Sequence, residues 1–91
     1  MADRSIIGVA ILMPGFAHPF VHEPPGRHHT IIHALSDSGF TPDQIAGGIQ
    51  GFVTNEHKFV NRRQACTIAR KAGQIMKKTG PAFELYSEDL W

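Results

Sequence analysis

The sequence is poor in cysteine, in long apolar runs and, over much of its second half, in acidic residues. Its 91 residues include a single cysteine, Cys66, which excludes an intramolecular disulfide framework and a cysteine-rich zinc module. The longest apolar run, residues 6–14, has about half of the roughly 20 residues that a membrane-spanning helix needs. We therefore expect one small domain in a reducing cytoplasm, with no membrane partner.

The charges are distributed unevenly although the formal net charge is only +1. Seven of the nine Lys and Arg residues lie between Lys58 and Lys78, where there is no Asp or Glu. The last eight residues carry Glu84, Glu88 and Asp89 and no Lys or Arg. This pattern favours an anionic partner or pairing between subunits. The alternative is a solvated helix face followed by a loose tail.

Short apolar segments between turn residues predict a small sheet. Residues 5–12 form a nearly continuous apolar run, which is typical of a buried strand, and Pro14-Gly15 ends it. Further strands are predicted at residues 20–22, 49–54 and 59–60, the last two as a hairpin. With two main helices the order is β-β-α-β-β-α plus a C-terminal tail. This order predicts a single α+β domain, residues 1–91, with a mostly antiparallel sheet.

Both main helices have boundary signals. The first is expected to begin within two residues of Arg27 and to end by residue 38, before Gly39 as a left-handed stop. The second is expected to begin after Asn61, an N-cap with Gln64 three residues later as in a capping box, and to end at residue 80. The remaining residues, 83–91, are predicted to be extended.

The second helix is predicted to be amphipathic. Its apolar arc contains Ala65, Ile68, Ala69, Ala72, Ile75 and Met76. Its opposite, basic arc contains Arg63, Arg70, Lys71, Lys77 and Lys78. Arg62 lies instead at the edge of the apolar arc, where a partly desolvated cation needs an anionic partner. That partner is either a ligand phosphate or a carboxylate of the tail, Glu88 or Asp89, and the sequence leaves both alternatives open.

Five histidines lie close together between residues 18 and 33: His18, His22, His28, His29 and His33. His29 and His33 are four residues apart on the predicted first helix and therefore share a face, and His22 or Glu23 is a candidate third metal ligand. The spacing matches no metalloenzyme signature. We therefore assign no metal, no cofactor and no catalytic residue, and expect ordinary packing or surface histidines.

The motif Gly26-Arg27-His28-His29 favours anion binding instead. It lies at a predicted helix start, where free backbone N–H groups and the helix dipole attract negative charge. The arginine adds a planar fork that matches phosphate. A helix start that is basic for other reasons is the alternative.

Five sequence motifs together resemble a family of small proteins from bacteriophages and prophages. The motifs begin at Arg27, Gly51, Phe59, Ala72 and Leu85 and read RHHTII, GFVT, FVNRRQA, AGQ and LYSEDLW. The resemblance brings no established activity with it. It implies a host-takeover or anti-defence factor, of the kind that sequesters cyclic nucleotide immune signals as a compact oligomer. The compartment is then the cytoplasm of the host cell.

Three classes of function follow from these observations. The first is a binding protein that sequesters a nucleotide-derived signal, such as a cyclic nucleotide or an ADP-ribose derivative, without chemistry. The second is an inhibitor that binds a host protein or nucleic acid through the basic helix face. The third is a small phosphoesterase or nucleotide hydrolase with His28 or His29 as the acid–base group. We rank them in this order.

The ligand-binding residues predicted for the first class are Arg27, His28, His29, Thr54, Phe59, Arg62 and Tyr86. The basic residues are expected to contact phosphates, and Phe59 and Tyr86 to stack on bases. A homo-oligomer is also expected, because Leu85, Tyr86, Leu90 and Trp91 are apolar side chains that a lone small domain covers with difficulty.

Overall fold

A four-stranded antiparallel sheet forms the centre of this α+β protein, and the computed structural model describes residues 4–91. The strands are β1 (Ile6–Leu12), β2 (Phe20–His22), β3 (Ile49–Thr54) and β4 (Phe59–Asn61). Their order across the sheet is β2-β1-β3-β4. The predicted fold class is thereby confirmed, and the nearly continuous apolar run becomes β1, a central strand.

Three helices accompany the sheet: α1 (His28–Asp37), the short α2 (Pro42–Ala46) and α3 (Arg62–Lys71). Alternate residues of the strands, such as Val9 and Ile11, face the same core as the apolar residues of α1 and α3. The core residues from the helices are Ile31, Leu35, Ala65, Cys66, Ile68 and Ala69. Within the described part of the chain, none of the helices is long and apolar enough to cross a membrane.

Helix α3 ends at Lys71, so the prediction that it continues to residue 80 is wrong. Gly73 has a φ of 68°, and the N–H of Gln74 donates to the carbonyl of Ala69 at 2.9 Å. These are the features of a glycine-terminated helix end. The side-chain amide of Gln74 then bonds to both backbone groups of Ile6 at 2.8 Å, which fixes the turned chain against β1.

The shortened helix also reduces the basic face that the sequence predicts. Lys77 and Lys78 lie beyond the helix end. Lys78 bonds to the carboxylate of Asp89, and Arg70 donates to the carbonyl of Ala82 at 3.0 Å. Two of the five cations are therefore engaged with the C-terminal segment of the same chain.

The C-terminal segment, residues 74–91, folds back onto the core, so the prediction that residues 83–91 are extended is wrong. Leu85 and Leu90 are buried, and residues Ser87–Asp89 form one turn of 3₁₀ helix. The indole N–H of Trp91 donates to the carbonyl of Gly26 at 3.0 Å, which joins the segment to the start of α1. The apolar side chains that motivate a homo-oligomer in the sequence are thus largely covered within one chain.

The buried carboxylate of Asp89 holds the C-terminal segment together through hydrogen bonds. It is fully buried and accepts hydrogen bonds of 2.6–3.0 Å from Lys78, from the hydroxyl and N–H of Thr79, and from the N–H of Tyr86. Burial by itself raises the pKa of an aspartate. The hydrogen bonds from Thr79, Tyr86 and Lys78 outweigh burial and hold the pKa of Asp89 below its ordinary value.

Candidate functional site

The start of α1 lies where the sequence predicts, with Arg27 as the N-cap residue. The backbone N–H of Arg27 donates to the hydroxyl of Thr30 at 3.1 Å. Gly26 precedes it in a tight position, because a Cβ there would lie 2.1 Å from a ring nitrogen of His22. The glycine therefore lets the chain pass close to β2 before it enters the helix.

A cavity of about 300 Å³ opens beside this helix start, and we call it the basic cavity. Its walls come from the first turn of α1, from β3, from the first residue of α3 and from the C-terminal segment. The lining residues are Arg27, His28, His29, Ile32, Gln50, Arg62, Tyr86, Ser87 and Glu88. The fold thus brings two arginines that are 35 positions apart in the sequence to one concave surface.

Arg62 is held by neutral groups only. One Nη donates to the side-chain oxygen of Gln50 at 2.5 Å, and the guanidinium carbon lies 4.8 Å from the ring centre of Tyr86. Its Nε is buried and has no hydrogen-bond acceptor in the part of the chain that the structure describes. Among residues 4–91 the ion pairs are Arg27–Glu88 and Lys78–Asp89. The alternative that Arg62 pairs with a carboxylate of the tail is therefore wrong.

Arg27 contributes both to the cavity and to the packing of the C-terminal segment. One Nη lies 3.3 Å from the hydroxyl of Ser87 and 3.8 Å from the carboxylate of Glu88, and the other donates to the backbone oxygen of Trp91. The Glu88 carboxylate is about half exposed. The cavity therefore carries two arginines and one carboxylate at its rim, which leaves an excess of positive charge.

His28 is buried and serves the packing of α1 against β3. Its Nε2 lies 2.7 Å from the carbonyl of Gly51, which requires Nε2 to carry the proton, and its ring meets that of Phe52 edge-on. Burial lowers the pKa of His28 below its ordinary value, although the bond to Gly51 opposes the shift. The ring is thus neutral at pH 7, and His28 does not supply a cation.

His28 should make folding sensitive to mild acid. The unfolded chain binds a proton near the ordinary histidine pKa, whereas the folded chain does not until a lower pH. Stability therefore falls as the pH drops below about 6.5, by at most about 1.4 kcal/mol per pH unit, until the folded pKa is reached. Urea denaturation between pH 7.5 and 5 measures this fall.

The variant His28→Gln should reduce the acid sensitivity, because glutamine keeps a donor for Gly51 and does not titrate. His33→Gln is the matched control on the exposed side of the same helix. This variant should keep the fall in stability at low pH that His28 causes. An equal pH dependence in wild type and His28→Gln would contradict the role of this ring.

Five of the seven predicted binding residues line the basic cavity: Arg27, His28, His29, Arg62 and Tyr86. The other two, Thr54 and Phe59, are not among its described lining residues. The Thr54 hydroxyl is buried in the β3–β4 hairpin and accepts the N–H groups of Glu56 and Lys58 at 3.2 and 3.3 Å. The ring of Phe59 covers Gly51, where a Cβ would lie 2.6 Å from it. Their contacts thus belong to the hairpin and the sheet.

No sequence pattern predicts Gln50, Ile32 and Ser87 as residues of the site. Only the fold brings them to the cavity. The histidine pair is present as predicted, with the rings of His29 and His33 6.1 Å apart. Nevertheless, no three metal-ligating side chains come together anywhere in residues 4–91.

The fold and the cavity define a small α+β protein with a basic pocket at a helix start. Residues 5–91 match the family described as Phage T4 y16D protein. Because the match covers nearly the whole chain, the chain belongs to this family, which confirms the resemblance to small phage proteins. No curated protein and no solved structure matches the chain.

Proposed function

We propose that this phage protein binds a phosphate-bearing, nucleotide-derived ligand in the basic cavity and sequesters it without chemistry. The observation that carries the proposal is the state of Arg62. Its guanidinium lies in the cavity with no carboxylate partner among residues 4–91, and its buried Nε has no acceptor within the same residues. An anionic ligand would complete a partly buried guanidinium in this state.

The surroundings of Arg62 suit a phosphate better than a simple anion. Arg27 offers a second guanidinium, and the Ser87 hydroxyl and Gln50 amide lie in the same wall. The first turn of α1, a helix of ten residues, adds backbone N–H groups of the kind that favour phosphate. Arg27 already forms an ion pair with the carboxylate of Glu88. We expect the phosphate of the ligand to displace this exposed carboxylate from Arg27 on binding.

A nucleotide-derived ligand is favoured by the size and the apolar part of the cavity. About 300 Å³ is at the lower end of the range for small-molecule sites. Tyr86 and Ile32 add aromatic and aliphatic surface beside the arginines. The chain belongs to a phage family, and we propose that the ligand is a cyclic nucleotide or ADP-ribose-like signal of host defence.

Binding without turnover is supported by the state of His28. A general acid–base group must exchange protons with substrate near pH 7. The Nε2 proton of His28 is instead bonded to Gly51, and burial lowers the pKa of the ring. We therefore keep the hydrolase as a lower-ranked alternative. The inhibitor that binds through a basic helix face also ranks lower, because Arg70 and Lys78 are engaged within the chain.

A homo-oligomer remains part of the proposal, and the exposed apolar side chains available for its interface include Met76 and Phe83 of the C-terminal segment. Ile7 and Val21 are exposed by 38% and 48% and line one shallow cavity on the sheet. Exposed apolar clusters of this kind often mark an interface. Light scattering should give a mass above that of one chain, and a monomer at all concentrations would overturn this part.

A depletion experiment tests the proposed function. The protein is mixed with cyclic nucleotides and ADP-ribose derivatives, separated by filtration and then denatured by heat. We expect one class of ligand to leave the filtrate and to return intact after heating. Return of a changed compound means catalysis, and no depletion means that the partner is not a nucleotide. Either outcome would overturn the proposal.

A further inference from the structure

A second cavity adjoins the basic cavity, and we call it the side cavity. It has a volume of about 350 Å³ and lies where the N-terminus of α3 meets β3 and the C-terminal segment. Its lining residues are Ile49, Gln50, Asn61, Arg62, Arg63 and Glu84. Because Gln50 and Arg62 line both cavities, one ligand that contacts Arg62 can extend into either.

The side cavity contains a donor and an acceptor that do not satisfy each other. Within residues 4–91, the side chains of Arg63 and Glu84 make no ion pair with each other or with another residue. Ile49 lies beside them as an apolar side chain that is 54% exposed. A nucleobase is one guest that suits these three side chains, because it has an apolar face and an edge that carries both donors and acceptors.

We propose that the side cavity binds the base of the nucleotide and selects guanine, an inference that rests on the proposed function. The carboxylate of Glu84 accepts the two adjacent N–H groups of the guanine pairing edge. The guanidinium of Arg63 donates to the O6 and N7 acceptors of the same base. Adenine offers Glu84 only one such donor, next to an acceptor nitrogen that repels the carboxylate. The phosphate then lies on Arg62, at the junction of the two cavities.

Binding of GMP, AMP and inorganic pyrophosphate by isothermal titration calorimetry tests this selection. We expect wild type to bind GMP about tenfold or more tightly than AMP, the usual discrimination of a two-bond base contact. Glu84→Gln should remove most of this preference by weakening GMP, while pyrophosphate affinity stays within about twofold. Because the Glu84 side chain makes no ion pair within residues 4–91, the variant should melt as wild type does.

Glu56→Gln is the matched control, since Glu56 is an exposed carboxylate in the β3–β4 hairpin. It should keep the preference for GMP. Equal binding of GMP and AMP to wild type, with pyrophosphate bound in an Arg62-dependent manner, overturns the inference and leaves the proposed function intact. Failure of all three compounds to bind overturns both. A loss of GMP and AMP affinity by the same factor in Glu84→Gln also overturns the guanine selection.

Discussion

Replacing Arg62 by alanine should weaken binding of inorganic pyrophosphate by about 1.5–3 kcal/mol, which is roughly 10- to 150-fold. The folded protein should lose less than about 1 kcal/mol. The contact with Tyr86 and the bond to Gln50 disappear, but so does a buried N–H that has no acceptor. Calorimetric titration and thermal melting of the same samples measure the two quantities.

Lys71→Ala is the control for this variant. Lys71 is an exposed cation at the end of the same helix and is not among the described residues of either cavity. Its loss removes the same charge. The pyrophosphate affinity should change only slightly, because the long-range Coulomb attraction of an exposed lysine is screened by salt. If Arg62→Ala and Lys71→Ala bind pyrophosphate equally well, Arg62 is not a binding residue. A large fall in the melting temperature of Arg62→Ala alone would assign it a structural role.

Replacing Asp89 by alanine should destabilise the fold by about 3–5 kcal/mol, the range for removing one partner of a buried charged network. The four hydrogen bonds to its carboxylate fix the C-terminal segment, which carries Tyr86 and Ser87 into the basic cavity. A small domain has a total stability of about 5–15 kcal/mol. Urea denaturation should therefore show a strongly lowered midpoint.

Glu88→Ala is the neighbouring control for Asp89. Its carboxylate is about half exposed and lies 3.8 Å from Arg27, so its loss should cost less than about 1 kcal/mol. Because the pKa of Asp89 is lower in the folded chain, its stabilising effect is present at neutral pH and is lost as the pH falls through that value. Equal stability of Asp89→Ala and Glu88→Ala at pH 7 would contradict this account.

The strands and the start of α1 could be predicted from the sequence because their signals are local. The run at residues 5–12, the turn residues that follow it and the boundary at Arg27 each involve neighbouring positions. The end of α3 also has a local signal, Gly73. Ile75 and Met76 continue the helical spacing beyond Gly73 and therefore predict a longer helix, although Met76 is 81% exposed in the structure.

The C-terminal segment could not be predicted in the same way. The role of Asp89 depends on Lys78 and Thr79, which lie about ten residues away across an irregular chain. No periodic pattern encodes such a contact. The acidic residues of the segment are visible in the sequence. That Asp89 forms an ion pair with Lys78 and not with Arg62 depends on how the chain packs.

The candidate site was predictable in its cations and not in its neutral residues. Arg27 and Arg62 could be predicted because each lies at the start of a helix. The helix dipole favours anions there, and a cation at the same position strengthens this preference. Gln50 and Ser87 carry no local signal in the sequence. Gln50 lies on β3 and Ser87 on the C-terminal segment, and these two elements come together only in the fold. Thr54 was placed in the site for its hydroxyl, which the hairpin uses instead.

The most direct test of an anion site at Arg62 is to follow its Nε–H resonance by NMR while pyrophosphate is added. Without ligand, this Nε is buried and has no acceptor among the described residues, 4–91. We predict a saturable downfield shift and slower exchange with water as phosphate oxygen approaches, together with shifts at Tyr86 and Ser87. An Nε–H resonance that stays unchanged at millimolar pyrophosphate, or shifts confined to the exposed lysines, would contradict the account.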